Sequence, residues 1–238
     1  MEEEQLLREQ VAYYRARASE YDQWFLREGR YDRGSEHRAA WFAEVAEVEA
    51  ALHAALGEAA LGEKEVLELA CGTGLWTRHL ARDNTRVVAI DASPEAIAIN
   101  RERLRSDKVD YRVADIFSWM SSETFDVVFF SFWLSHVPAA RFSDFWALVR
   151  KAVKPHGQAF FVDSLLQQAS TARDHGPLDD SGIDRRRLDD GREFEIVKVF
   201  YTPAELERRL REAGWRGWVR SSGQFFLYGS VTPVQGAG

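Results

Sequence analysis

Two periodicities divide the chain. Through the first 60 residues the apolar positions recur every three to four places, as on a helix face. Residues 3–28 are charged and aromatic, and Gly29 and Gly34 bracket a break. A second helix over about 36–56 carries Trp41, Phe42, Val45, Val48, Leu52 and Leu56 before Gly57 and Gly62 end it. From residue 65 short apolar runs take over. Residues 65–70, 86–90, 109–113, 125–131 and 158–163 read as strands, with helices over about 75–84, 94–105 and 142–153 between them. Ser93-Pro94-Glu95 supplies an N-cap and a proline at the first helical position. The run 125–131 is bulky and apolar on both faces, the composition of a central parallel strand. Lys154-Pro155-His156-Gly157 reads as a turn. Residues 165–190 are polar and carry Gly176-Pro177, Ser181-Gly182 and Asp190-Gly191, the mark of an irregular insertion. Residues 193–200 alternate as a strand, Thr202-Pro203-Ala204-Glu205 opens a helix that stops at Gly214, and 219–228 is a last strand. The Gly236-Ala237-Gly238 tail is expected to fray.

Alternating strands and helices predict an α/β fold: a doubly wound, Rossmann-like, mostly parallel seven-stranded sheet, closed at its far edge by an antiparallel pair. Residues 1–60 are expected to be a helical cap over the carboxyl ends of the strands, where such sheets bind ligands. Residues 61–238 form the sheet domain, with a substrate lid inserted at about 165–192.

Composition narrows the function. The 238 residues carry 31 Lys and Arg against 38 Asp and Glu, a net charge of −7. That balance argues against non-specific nucleic-acid or anionic-membrane binding, which draw on a basic surface. A single cysteine, Cys71, excludes an intrachain disulfide and a zinc site built on cysteines, and no metal site is expected. The acidic start Glu2-Glu3-Glu4 lacks the charge of a signal peptide, and the apolar run 127–134 falls short of the ~20 residues of a membrane span. A reducing cytoplasm is the expected setting, as a monomer or homodimer.

The segment richest in chemistry is Glu68-Leu69-Ala70-Cys71-Gly72-Thr73-Gly74, a strand running through a glycine turn into a helix. Glycines there admit close approach of a ligand, and the helix start offers free N–H groups. Asp91 lies 17 residues after Gly74 at the end of the next strand, where its carboxylate can accept both hydroxyls of an adenosine ribose. Asp115, ending the third strand, is placed for the adenine edge; the alternative for both carboxylates is capping of their own loops. A dinucleotide site would have a third glycine where Thr77 stands. Its absence, with Glu68 ahead of the turn, points to an adenosine cofactor without pyrophosphate.

The run 66–74 resembles the first motif of class I S-adenosylmethionine-dependent methyltransferases. Asp91-Ala92-Ser93-Pro94 resembles their second motif, Ala114-Asp115-Ile116 the third, and Phe125-Asp126-Val127-Val128 the fourth. Lys154-Pro155-His156-Gly157 resembles the turn before their fifth strand, with His156 departing from the usual Pro-Gly-Gly. The resemblance covers residues 65–165 and implies S-adenosylmethionine as cofactor, S-adenosylhomocysteine as product and a small-molecule methyl acceptor. It implies that backbone at Ala70 and Gly72 approaches the methionine amine and that Gly74 allows the turn. Asp91 would then bind ribose, Ala92 lie against adenine, Asp115 and Ile116 hold the adenine edge, and Phe130 and Ser131 flank the methionine. Tyr14 and Arg17, three apart on the first helix, resemble the closing helix of small-molecule methyltransferases and can both meet the methionine carboxylate. The alternative is an amphipathic helix with solvated arginines.

Methyl transfer needs alignment and water exclusion more than a strong catalytic motif. The segment 131–138 lacks the Asn/Asp-Pro-Pro-aromatic motif of amino-methylating nucleic-acid enzymes, and no Pro-Cys nucleophile is present. His136 is the catalytic candidate, as base or substrate-orienting group, or as a residue that only orients its loop. Asp163 is a second candidate, or a cap for the next segment. Trp24, Tyr31, Trp41, Trp133 and Tyr201 either line an apolar pocket or fill core. Arg185-Arg186-Arg187 attracts an anionic acceptor or forms a solvated face. The expected reaction is methyl transfer to O, N or S of a small molecule. The alternatives are a quinone-biosynthesis C-methyltransferase, a nicotinamide-dependent oxidoreductase and a non-catalytic S-adenosylmethionine-binding module.

Overall fold

The computed structural model describes residues 2–58, 64–81, 85–178 and 181–234. Gly62, Asn84, the boundary at residues 60/61 and the tail at 236–238 lie outside them. Three helices come first: α1 (Glu2–Arg17), α2 (Tyr21–Leu26) and α3 (Ser35–Glu58). The alternating region comes next as β1 (Lys64–Leu69), α4 (Thr77–Leu80), β2 (Thr85–Asp91), α5 (Pro94–Leu104), β3 (Val109–Val113), β4 (Phe125–Ser131), α6 (Phe142–Ala152) and β5 (Val153–Ser164). The chain ends with β6 (Gly182–Arg187), β7 (Glu193–Lys198), α7 (Pro203–Glu212), β8 (Trp215–Ser221) and β9 (Phe226–Pro233).

The main sheet has seven strands in the order β3-β2-β1-β4-β5-β9-β8. Its first five pair in parallel, and β9 joins β5 and β8 antiparallel. Strand alternation sends Leu67, Leu69, Val88, Ile90, Phe130 and Phe161 to one face, under α6 and α7. Val66, Val87, Val127, Phe129 and Phe160 go to the other, with Trp41, Val45, Val48 and Leu52 of α3. Burial on both faces explains why the central strands are unbroken apolar runs. The order reverses between β1 and β4, which opens a crevice at their carboxyl ends.

The sheet has the expected strand number with different members. Residues 193–200 do not join it: β7 pairs with β6 in a separate two-stranded ribbon. The polar stretch read as irregular therefore contains a strand, one whose alternate residues face solvent. The expected last strand is two. The turn between β8 and β9 is held by Glu44 of α3, which accepts from Ser222 Oγ, Gln224 N and Phe225 N at 2.6–2.9 Å. The helix expected over 75–84 is the single turn α4. The Lys154–Gly157 turn lies inside β5, where register slips between the pairs Phe125–Val153 and Val127–Gln158. Gly157 permits this, since a Cβ there would meet the Phe125 and Asp126 carbonyl oxygens at 2.9 and 2.8 Å. Only α1 and α2 of the amino-terminal helices reach the strand ends, because α3 packs on the sheet face. No helix among the described residues is long and apolar enough to cross a membrane.

Candidate active site

The carboxyl ends of β1 to β4 form the floor of a cavity of about 670 Å³. Ala70 and Gly72 lie just past β1, Asp91 and Ala92 end β2, Asp115 and Ile116 lie just past β3, and Ser131 and Phe132 end β4. α1 roofs the cavity with Leu7, Val11 and Tyr14, and His136 and Arg141 close its side. The helix is tied down at both ends by exposed ion pairs, Arg15–Glu95 at 2.8 Å and Arg141–Glu3 at 2.6 Å. Beside the reversal point Ala70 and Phe132 hold left-handed backbones, φ 55° and 52°. Such a conformation costs on the order of 1 kcal/mol or more for a non-glycine residue and concentrates at functional sites. Neither residue announces it in the sequence.

The glycine turn is held from behind. Asn100 Nδ2 donates to Thr77 Oγ1 at 2.9 Å and to the Cys71 and Gly72 carbonyls at 3.4 and 3.3 Å. Gly74, at φ 88°, faces this asparagine rather than the cavity; a Cβ there would fall 2.6 Å from Asn100 Cγ. Asp91 accepts from Gly72 N and Ser93 N, both at 2.8 Å. Burial pushes its carboxyl up, and those amides pull it partly back. Asp115 accepts from Phe117 N at 3.0 Å. Each carboxylate thus caps its own turn and also lines the cavity.

Three more expected residues stand off the wall. Phe130 is fully buried among Phe145, Trp146 and Phe161, because alternation turns it into the α6 core. Glu68 is 1% exposed and neither carboxylate oxygen has a hydrogen-bond partner among the described residues; burial raises its pKa to about 8. Arg17 leaves the cavity for a second, adjoining chamber.

His136 is the centre of a short chain. Its Nδ1 lies 2.7 Å from the Val197 carbonyl and its Nε2 lies 2.7 Å from the Tyr14 hydroxyl. A carbonyl only accepts, so Nδ1 carries the proton and Nε2 accepts from Tyr14. Burial, then the nearby Lys198 charge, hold the ring well below its ordinary pKa. The Asp163 carboxylate is spent on Ser135 N at 2.8 Å and Ser164 N at 2.7 Å, which makes it a cap.

A family model described as a methyltransferase domain matches residues 66–157. The ubiquinone biosynthesis O-methyltransferase of Aromatoleum aromaticum is 32% identical over 160 residues, 66% of this chain and 65% of that protein, so the match spans just under two thirds of that relative. The solved DhpI–SAH complex is 40% identical with a TM-score of 0.74, covering 96% of this chain and 97% of that one. A DhpI–SAM–HEP complex is 39% identical at 0.73, with 96% and 98% covered. The chain belongs to the class I S-adenosylmethionine-dependent methyltransferases.

The methyltransferase cavity fits that cofactor on its own geometry. A Cβ on Gly72 would meet no protein atom within 4 Å, so the loop leaves that edge of the cavity to a ligand. Ala92, Val113 and Ile116 give an apolar slot beside the Asp91 carboxylate, and Val113 is 59% exposed at its lip. Thr73, Phe117 and Trp133 also line the cavity, and of these only Trp133 is a pocket candidate from sequence. Thr73 Oγ1 donates to Asp22 of α2 at 2.6 Å, and Arg103 ion-pairs the same carboxylate. Of the other aromatic candidates, Trp24 and Tyr31 reach the second chamber, while Trp41 and Tyr201 are core.

That second chamber, about 40 Å³, shares Tyr14, Tyr21, Phe132 and His136 with the main cavity. Three cations line it. The Arg17 guanidinium lies 5.0 Å from the Tyr21 ring centroid and donates to Tyr31 Oη at 3.1 Å. Lys198 Nζ donates to Ser135 Oγ at 2.8 Å. Of the basic triplet, strand alternation turns Arg186 inward, 11% exposed, and leaves Arg185 and Arg187 outside at 68% and 48%. Lys198 gives no sign in the sequence, since its place depends on how the β6–β7 ribbon packs.

Proposed function

We propose that this methyltransferase acts on O, N or S of a small molecule, in the cytoplasm, with no nucleic-acid substrate. The observation that carries the reading is the roof: α1 lies across the strand ends over a cavity of about 670 Å³, within the size range of small-molecule sites. The negative net charge and the small-molecule names among the relatives support it. The relatives' names also favour a quinone-type acceptor as a second reading.

In this reading Asp91 takes the ribose hydroxyls, Ala92, Asp115 and Ile116 hold the adenine, and Ala70, Gly72 and Ser131 face the methionine portion. Tyr14 lies on the wall shared by the two chambers. Bound there, S-adenosylmethionine supplies an electrophilic methyl group on sulfur. The chain's own contribution is to align the acceptor and keep water out with the aromatic wall of Tyr21, Phe132 and Trp133. His136, with both ring nitrogens engaged, acts as a positioning residue for Tyr14.

Calorimetric titration tests the reading. S-adenosylmethionine and S-adenosylhomocysteine are expected to bind and NAD is not. Asp91→Ala should weaken cofactor binding by about 1.5–3 kcal/mol, the range for hydrogen bonds to a charged group. Unchanged affinity in the variant would remove Asp91 from the ribose site.

A further inference from the structure

The second chamber holds more positive charge than the fold can use. Arg17 and Lys198 are each 8% exposed, and among the described residues neither has a carboxylate within ion-pairing distance. Their direct partners are hydroxyls and aromatic faces, which carry no formal negative charge. Among the described residues Arg186 pairs with Asp184 at 2.6 Å, and Asp184 also acts on Lys198 from farther away. Asp163, the other carboxylate acting on Lys198, accepts from two backbone amides, so three cations stand against two carboxylates. Burying cations in excess of carboxylates is costly, and an anion entering the chamber offsets that cost.

Size and position narrow the anion. A single water needs roughly 10–15 Å³ of such space, so a chamber of about 40 Å³ admits a head group of a few atoms and not an aromatic ring. The chamber meets the cofactor cavity at Tyr14, Tyr21, Phe132 and His136. The neighbouring histidine and carboxylate are already engaged, His136 through both nitrogens and Asp163 through both oxygens. An acceptor that arrives already ionised needs no base.

We propose, resting on the methyl-transfer reading above, that the acceptor is a small oxyacid whose anionic group is held by Arg17, Arg186 and Lys198 and is methylated on its own oxygen. A lone pair of that oxygen forms the new C–O bond as the S–C bond breaks and its electron pair stays on sulfur. The sulfonium becomes a neutral thioether, the acceptor loses one negative charge, and no proton is released. The cations hold the oxyanion in place without protonating it.

The test titrates the S-adenosylhomocysteine-bound protein with inorganic phosphate and, separately, with acetate, at constant ionic strength set by chloride. Saturable binding of at least one is expected, and which binds tighter distinguishes a tetrahedral from a planar head group. Lys198→Met and Lys198→Gln should each lose about tenfold or more of that affinity while binding S-adenosylhomocysteine as the parent does. A screen with a ¹³C-labelled methyl donor over small phosphoric, phosphonic and carboxylic acids, against matching neutral alcohols, should place the label on an acid oxygen. The proposal is overturned if the loaded wild-type protein binds neither anion, if binding survives both substitutions, or if only neutral alcohols are labelled. Failure to bind S-adenosylhomocysteine at all would instead strike at the methyl-transfer reading.

Discussion

Replacing Lys198 with methionine should make the ligand-free protein more stable. Burial, reinforced by the Arg186 and Arg17 charges and opposed by Asp163 and Asp184, lowers the Lys198 ammonium from 10.5 to about 8. At pH 7 the group is still charged, so the folded chain carries the cost of that shift. At about 1.4 kcal/mol per pKa unit the cost is roughly 3 kcal/mol. Methionine keeps the length of the side chain and removes the charge, at the loss of one hydrogen bond to Ser135 worth about 1 kcal/mol. The net gain is about 2 kcal/mol, or about 4–8 °C in Tm for a chain of this size. The sign with pH comes from proton counting. Between about pH 8 and 10.5 the unfolded lysine keeps a proton that the folded one has released, so Lys198 favours folding more as pH rises. The gap between variant and parent should therefore shrink across that window. Urea unfolding of both proteins at pH 7 and near pH 10 measures it. A variant no more stable at pH 7, or a gap that does not change with pH, would refute the reasoning.

Two further expectations concern the site. Because burial holds His136 well below its ordinary pKa, the ring stays neutral through pH 6–7, and kcat/KM should show no ionisation near 6.5; a fall there that disappears in His136→Asn would restore the histidine as a titrating base. Gly74→Ala should cost more than about 1 kcal/mol of stability and weaken cofactor binding, since both the positive φ and the approach of Asn100 oppose a side chain; unfolding and calorimetry at parental values would show that the turn tolerates it.

What the sequence reveals depends on whether burial is local to an element. β1, β2 and β4 are legible because their central residues are apolar on both faces, β3 because it is a short run in the alternation, and the cavity floor because it consists of the chemically marked turns that end them. β6 is hidden by its three arginines, two of which face solvent on a ribbon with one covered side. The β8–β9 turn is stapled by Glu44 of α3, a contact far from it in sequence, so the two strands read as one. Phe130 differs from its expected place by one step of the same alternation that makes β4 recognisable: Ser131 reaches the cavity and Phe130 faces α6. The left-handed Phe132 and the inward Lys198 owe their positions to tertiary packing, which no local pattern encodes.

The roof helix joins two compartments that a reaction would otherwise fill separately. α1 carries Leu7, Val11 and Tyr14 along the main cavity and Arg17 into the second chamber, so one helix supplies part of the wall of both. Its clasps, Arg15–Glu95 and Arg141–Glu3, are exposed pairs of the kind worth about 1 kcal/mol or less and screened by salt. One helix thus borders both compartments, and salt that loosens its clasps acts on a wall of each at once.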